Sequence, residues 1–243
     1  MTRMIGGWGT FRAVAQYVPR VGAERVERLR RWHEDVSAEL HARLSVDCEY
    51  LGLQLHVPQG VFAPTPTSDL LGGVVADHAA PGMRVLDMGC GAGANAILAA
   101  RNGAVVLGVD VNPAAVDASR ANAARNGVAD RTEFAVSDVF DAVEGDFDLV
   151  VIDPPFRWFT PRTMLDRACT DENYASLTMF LHEVPGRLRP GGAVLLFFGT
   201  SGDVAHLDHL IGVNGLLSAT IAERTIEVRG EVTTYFVRRL TIG

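Results

Sequence analysis

Apolar and polar positions run along this chain in two rhythms. Between Val21 and Leu44, the residues Val26, Leu29, Val36, Leu40 and Leu44, with Trp32 beside them, recur at steps of three, four and seven. That spacing predicts an amphipathic helix. Its outer face is rich in arginine and glutamate and reads as a solvated face with pairs such as Glu24–Arg28. The alternative is a cap over a site, with Trp8, Tyr17 and Trp32 as the residues to touch it. Tyr50 to Val57 alternates and predicts a strand. Continuous apolar runs then end in Asp87, Asp110 and Asp153, and another covers Ala193 to Phe198. Runs of that length predict strands buried on both faces of a parallel sheet.

Helical patterns separate these runs. Asn112 suits an N-cap, Pro113 the first helical position and Gly127 the C-terminal exit. Tyr174, Leu177, Phe180, Leu181, Val184 and Leu188 predict a helix ending at Pro190-Gly-Gly, and Asp203 to Ile211 another. Thr220 to Ile242 reads as an antiparallel hairpin around Arg229-Gly-Glu231. Residues 58–71 contain three prolines and predict a fixed loop, with Thr67 or Ser68 placed to cap the next helix. The alternation predicts an open α/β sheet with helices on both faces. A helical N-terminal extension, residues 1–49, would precede one domain, residues 50–243.

The chemistry concentrates in Met83 to Asp110. An apolar run ends in Asp87, glycines follow at 89, 91 and 93, and after an alanine-rich segment a second run ends in Asp110. Glycines let the backbone turn sharply and approach a ligand with no Cβ in the way. The second strand brings Asp110 to the same crevice, where it can accept hydrogen bonds from a ribose diol. Gly89, Gly91 and Ala94 satisfy the loose pattern of nicotinamide binders. The finer spacing, with Asp87 inside the approach to the loop, suits a ligand carrying an ammonium group better than a pyrophosphate. This stretch resembles the motif of class I S-adenosylmethionine (SAM) methyltransferases.

Phe147 to Phe156 gives the second signal, a buried strand running into Asp153-Pro154-Pro155-Phe156. The prolines fix the backbone and remove two amide donors, so carbonyls face whatever enters. With the Asp153 carboxylate and the flat Phe156 ring, they can hold a planar nitrogen by its N–H groups. The motif resembles the (Asp/Asn/Ser)-Pro-Pro-(Tyr/Phe) signature of amino-methyltransferases in the HemK-like, small-domain group. HemK-type glutamine enzymes usually show Asn-Pro-Pro-Tyr, so Asp153 and Phe156 depart from them, and Asp-Pro-Pro-Phe-Arg is closer to bacterial ribosomal-RNA guanine-N2 enzymes. The resemblance covers roughly residues 58–200.

It implies a Rossmann-like, seven-stranded, mostly parallel sheet that binds SAM and releases S-adenosylhomocysteine. Cofactor contacts would come from Asp87, Gly89, Gly91 and Gly93, from Asp110 and Val111, from Ser137 and Asp138 at the adenine, and from Phe62 and Thr67 in the preceding loop. Asp153, Pro154 and Phe156 would be catalytic. Pro155, Trp158, Arg162 and Tyr174 would face the acceptor, with Arg162 or Arg167 available to an acceptor carboxylate.

Composition narrows this reading. All 22 basic residues are arginine, which removes Schiff-base and P-loop lysine chemistry. Cys48, Cys90 and Cys169 are far apart, and His206 and His209 lack partners, so no metal site is expected. No apolar run approaches the ~20 residues that span a bilayer, and no secretory signal is indicated, so the cytoplasm is expected. Residues 1–45 hold eight arginines against five acids, a net +3, whereas the whole chain carries −7. An acidic body is a poor match for a protein that neutralises many phosphates. The favoured acceptor is therefore a small molecule or an amide side chain. A nucleic-acid base is the alternative if the basic arm adjoins the site, and cyclisation of SAM to azetidine-2-carboxylate is a second alternative.

Overall fold

The computed structural model describes residues 17–228 and 230–243. Helix α1 (Ala23–Ala42) leads into a hairpin of β1 (Val46–Tyr50) and β2 (Leu53–Val57), then α2 (Ser68–His78). The alternating part follows as β3 (Arg84–Met88), α3 (Ala94–Arg101), β4 (Val105–Asp110), α4 (Pro113–Arg125), β5 (Thr132–Val136) and β6 (Phe147–Ile152). It is completed by α5 (Ala175–Glu183), β7 (Leu188–Gly199), α6 (Val204–Val213), β8 (Leu216–Val228) and β9 (Glu231–Ile242). Strands β3 to β9 form one seven-stranded sheet in the order β5-β4-β3-β6-β7-β9-β8. The pairs from β5 to β7 are parallel, and β9 runs against both its neighbours.

The period of two along each strand divides the core. Val85, Leu149, Val151, Leu195 and Phe197 pack with α2, α3 and α4. Their neighbours Leu86, Val150, Ile152, Leu196 and Phe198 pack with Leu177, Phe180 and Leu181 of α5 and Leu207 and Leu210 of α6. Because β4 lies on one side of β3 and β6 on the other, the connections diverge beside β3. A crevice opens there at the carboxyl ends of the strands. Among the described residues no helix is long and apolar enough to cross a membrane.

Tyr50 to Val57 is not one strand, as its alternation suggests, but the turn and second arm of a hairpin. Leu51 and Gly52 turn the chain at φ +48° and +75°, so that Tyr50 faces Leu53. Of β1 only Tyr50 is buried, so its sequence carries no period-two signal, and the expected boundary between residues 49 and 50 falls inside this strand. The hairpin stays outside the main sheet and is held by α4. Asn122 accepts from the His56 N–H at 2.8 Å and donates to the carbonyls of His56 and Ala92 at 2.9 and 3.0 Å. One turn later Asn126 accepts from Gln54 N and donates to Gln54 O. Two asparagine amides thus do for β2 what a neighbouring strand would do. The terminal hairpin also begins earlier than its pattern suggests, at Leu216, because most of β8 is exposed and shows no buried face.

Replacing Asn122 with Ala leaves three backbone groups without partners, two of them on β2. A loss of about 2–4 kcal/mol is expected in urea denaturation; a loss below about 1 kcal/mol would show that water takes over these bonds.

Candidate active site

The glycine loop joins β3 to α3 with Gly89, Gly91 and Gly93 at φ +75°, +55° and +86°. Side-chain-bearing residues reach that region at a cost of roughly 1–2 kcal/mol each. The amides of Gly89 and Cys90 both donate to Val109 O, at 2.8 and 2.9 Å, which presses the loop against the end of β4. A Cβ added to Gly89 would meet nothing within 4 Å, so free space lies in front of it. A Cβ on Gly93 would come within 3.1 Å of the Ser119 Cα on α4.

Asp110 closes this arrangement. Its Oδ2 accepts from Gly91 N and its Oδ1 from Asn112 N, both at 2.9 Å. Each oxygen keeps acceptor capacity for a ligand hydroxyl. Burial pushes its pKa up, against the pull of the two amides. Asn112 caps α4 through Ala114 N, as its position predicts, and also donates to Gly60 O at 3.0 Å, which draws in the proline-rich loop. Thr67 stands at the N-cap of α2, but its side chain makes no capping bond. Its hydroxyl lies 3.0 Å from that of Thr65, and Ser68 Oγ accepts from Thr65 N.

These groups line a cavity of about 1060 Å³, above the range of roughly 300–1000 Å³ usual for one small ligand. Of the residues singled out from sequence, Phe62, Thr67, Gly89, Gly91, Asp110, Val111, Ser137, Asp138, Asp153, Pro154, Pro155 and Phe156 line it. Asp87, Gly93, Trp158, Arg162 and Tyr174 do not. Asp87 is 2% exposed and accepts from Ala96 N at 2.9 Å, so it anchors the start of α3 instead of facing a ligand. Burial, opposed by the Ala96 amide and reinforced by Asp110, pushes it up to about 7. Tyr174 is fully buried; its hydroxyl donates to Phe156 O at 2.7 Å and accepts from Asp203 N at 2.9 Å. It thereby fixes the motif from behind. Trp158 is buried against Phe159 and Tyr174, and the Arg162 amide donates to Asp166.

Asp153 is exposed to the cavity, while protein atoms are dense around its carboxyl. It makes no hydrogen bond among the described residues. Burial, with Asp87 adding to it, pushes its carboxyl up to about 7. Asp138 already holds Arg167 at 3.1 Å. Ser137 is committed locally, donating to Val139 O and accepting from Ala142 N. At the start of α3, Asn95 Oδ1 is a buried acceptor without a partner among the described residues, and Asn95 lines the cavity.

The N-terminal segment borders the cavity, which Tyr17, Trp32, His33 and Val36 help to line. Tyr17 donates to Asp203, Ser37 donates to Asp166 at 2.7 Å, and the Arg25 side chain donates to Thr200 O. Trp8 lies outside the described residues. The segment after the Asp-Pro-Pro-Phe motif leaves and returns through a closed base: Arg157 bridges Thr170, and Asp171 N donates to Arg157 O at 2.8 Å. Arg157, Asn95, Ser201 and Tyr235 are lining residues that sequence reasoning passed over. Arg157 follows the motif directly, and that adjacency was the available signal.

A family model described as "Methyltransferase small domain" matches residues 52–201. Release factor glutamine methyltransferase of Rhodospirillum rubrum is 33% identical over 177 residues, which cover 67% of this chain and 53% of that protein. Ribosomal RNA small subunit methyltransferase C of Alcanivorax borkumensis is 40% identical over 113 residues, 46% of this chain and 31% of that one. This chain thus spans about half the length, or less, of these two relatives. Among solved structures, the 16S rRNA N2 G1207 methyltransferase of T. thermophilus in complex with AdoMet and guanosine has a TM-score of 0.59 and 26% identity, covering 82% of this chain and 50% of that one.

Two stability measurements check this description. Gly93→Ala adds a contact with the α4 backbone to its left-handed strain and should lower the urea midpoint more than Gly89→Ala, which meets open space; the reverse order would contradict the packing. Asp87 has a folded pKa above the ordinary carboxylate value of about 3.9. Its contribution to stability is therefore complete below that value and lost as pH rises through about 7. Asp87→Asn should flatten that fall in the ligand-free protein, raising the melting temperature at pH 8 relative to wild type but not at pH 4.

Proposed function

The chain belongs to the methyltransferase small-domain family, on the class I SAM-dependent methyltransferase fold, and from that premise we propose that it transfers a methyl group from SAM to a planar nitrogen of a small molecule or an amide side chain. Three features fit SAM: the open space before Gly89, the remaining acceptor capacity of Asp110, and the unpartnered Asn95 Oδ1, an acceptor suited to an ammonium N–H. When bound, SAM supplies an electrophilic sulfonium methyl. Asp110 and Val111 would take the ribose, Ser137 and Asp138 the adenine edge, and Phe62 and Thr67 would cover it from the proline-rich loop. Asp87 would act through α3, without touching the cofactor.

The observation that carries this reading is Asp153, a carboxylate open to the cavity and free of any hydrogen-bond partner among the described residues. It would accept the acceptor's N–H, orient the nitrogen, and take its proton onto a carboxylate oxygen as the N–C bond forms and the sulfonium's C–S bond breaks, the electron pair staying on the sulfur of the departing S-adenosylhomocysteine. Pro154 and Pro155 offer carbonyls without competing amides. The Phe156 ring, packed against Phe197, Phe198 and Tyr235, gives the nitrogen group a flat wall. Positioning of this kind can supply ~7 kcal/mol or more of the barrier reduction. Relatives named for glutamine and for a guanine N2 acceptor agree with a nitrogen target.

One observation favours a second reading, a nucleic-acid base as acceptor: the basic N-terminal arm does adjoin the cavity. Several of its arginines are already engaged, however. Arg28 pairs with Glu231 at 3.2 Å, Arg25 binds Thr200 O and Arg30 lies over Phe159. Incubation with labelled SAM separates the readings. Label in small molecules or amides supports the first. Label in RNA, lost steeply with added salt, supports the second. Methylthioadenosine formed from SAM alone with no acceptor would instead mean cyclisation.

Asp153→Ala should reduce turnover about a hundredfold or more while leaving SAM affinity nearly unchanged; equal loss of both would refute this division of labour. Because Asp153 must be ionised to accept the N–H, kcat/KM should rise with pH through about 7 and level off above it. In Asp153→Asn that rise should disappear.

A further inference from the structure

Arg157 is a charged side chain with almost nothing to neutralise it. It is 8% exposed and lines the cavity. Among the described residues its one side-chain hydrogen bond runs from Nη1 to Ser201 Oγ at 2.9 Å. Its Nε is buried with no partner among those residues. One face of the guanidinium is covered by the Trp32 ring, 4.5 Å from Cζ, which holds the plane in place but carries no formal charge. No carboxylate among the described residues pairs with it, and residues 1–16 and Arg229 contain no acid that could. Burial accordingly pulls its pKa down, with Tyr235 and Tyr174 only partly opposing the shift.

A buried cation without a counter-charge is expensive in a folded protein, and breaking a buried pair costs several kcal/mol for the same reason. Arg157 is spared part of that cost by the open cavity, which is where a missing anion would enter. The other cavity arginine, Arg167, is already held by Asp138. The same cavity presents the opposite charge at Asp153, likewise unpaired. No ion pair joins the two among the described residues, the guanidinium bonding to Ser201 instead. Asp153 and Arg157 flank Phe156 in sequence, and both line the cavity with Tyr235, whose ring lies against Phe156.

We propose that the methyl acceptor is a small carboxylic acid that also bears the reacting nitrogen, its carboxylate seated on Arg157 while the nitrogen faces Asp153. The guanidinium edge matches a carboxylate in shape and charge, as an ammonium would not. Trp32 and Ser201 fix the guanidinium so that little rotamer freedom is lost on binding. The assignment rests on the methyl-transfer reading and narrows it. Arg157 takes the part that sequence reasoning assigned to Arg162 or Arg167. It also gives α1 a task in recognition, because Trp32 is on that helix.

The test uses the full chain saturated with S-adenosylhomocysteine and titrated with paired carboxylates and carboxamides: acetate and acetamide, benzoate and benzamide, 4-aminobenzoate and 4-aminobenzamide. Calorimetry or ligand-observed NMR should show the carboxylates binding about tenfold or more tightly than their amides. In Arg157→Met that ratio should fall close to one with S-adenosylhomocysteine affinity unchanged; Arg157→Gln serves if the Met variant does not fold. A wild-type ratio near one, or a ratio that survives both substitutions, would overturn the assignment. So would carboxylates that compete with S-adenosylhomocysteine together with its weakened binding in the variants, since the anion would then be the cofactor's own. Failure of wild-type protein to bind S-adenosylhomocysteine at all would remove the methyl-transfer reading itself, a result distinct from the loss of carboxylate preference alone.

Discussion

The two amides that share the Asp110 carboxylate are the constraint on which the site depends. Gly91 N belongs to the loop after β3 and Asn112 N to the turn after β4, so one side chain sets the distance between two crossovers. Asn112 then passes the restraint on, capping α4 and reaching Gly60 in the loop before α2. Three segments far apart in sequence are fastened at the point where the sheet's connections diverge. Parallel sheets leave their carboxyl ends open at such points. Here the opening is shaped by hydrogen bonds to backbone, which tolerate change in the surrounding side chains.

What could be read from the sequence was what depends on local chemistry. Glycines at positive φ, the Asn112-Pro113 helix start and the apolar runs ending in acids all report on their own neighbourhood, and all appear where expected. The hairpin of β1 and β2 was half legible, because β1 has one buried residue and is held by α4 instead of the sheet. Nothing in the spacing of Asn122 and Asn126 marks them as a surrogate strand; that role exists only once α4 lies beside β2. Asp87 and Asp153 both end apolar runs, yet one turns into α3 and the other into the cavity. Sequence pattern sees the run and the acid but not the direction of the carboxyl. Arg157 was passed over for a related reason: an arginine is ordinarily solvated or paired, and its lack of a counter-charge is a property of the folded surroundings.

The buried, unpaired charge of Arg157 opposes folding in the ligand-free protein. Asp87 and Asp153 are raised by burial, and Arg157 is lowered by it. Such concentrations of perturbed groups are characteristic of sites whose partners arrive from outside, and they set stability against function. Elsewhere the chain takes the opposite course. Asp203 is satisfied three times over, by Tyr17, by the Arg20 amide and by His206 N, and it secures the N-terminal segment to α6. The anchor is saturated, while Asp153, Arg157 Nε and Asn95 Oδ1 at the cavity have no hydrogen-bond partner among the described residues.

The closed base of the segment from Arg157 to Thr170 has a further consequence. Its ends are joined by the bridge between those two residues and by the Asp171 amide, while Tyr174 holds the Phe156 carbonyl from below. Of the intervening dozen residues Trp158, Phe159 and Leu165 are buried in the core, so length and composition can change most freely at the exposed turn of residues 160–164. For a loop closed at its neck, each doubling in length costs only about 0.6 kcal/mol. The end of β6 that carries Asp153 and this exposed turn can therefore diverge at separate rates, so that the rim of the cavity drifts while its floor stays in place.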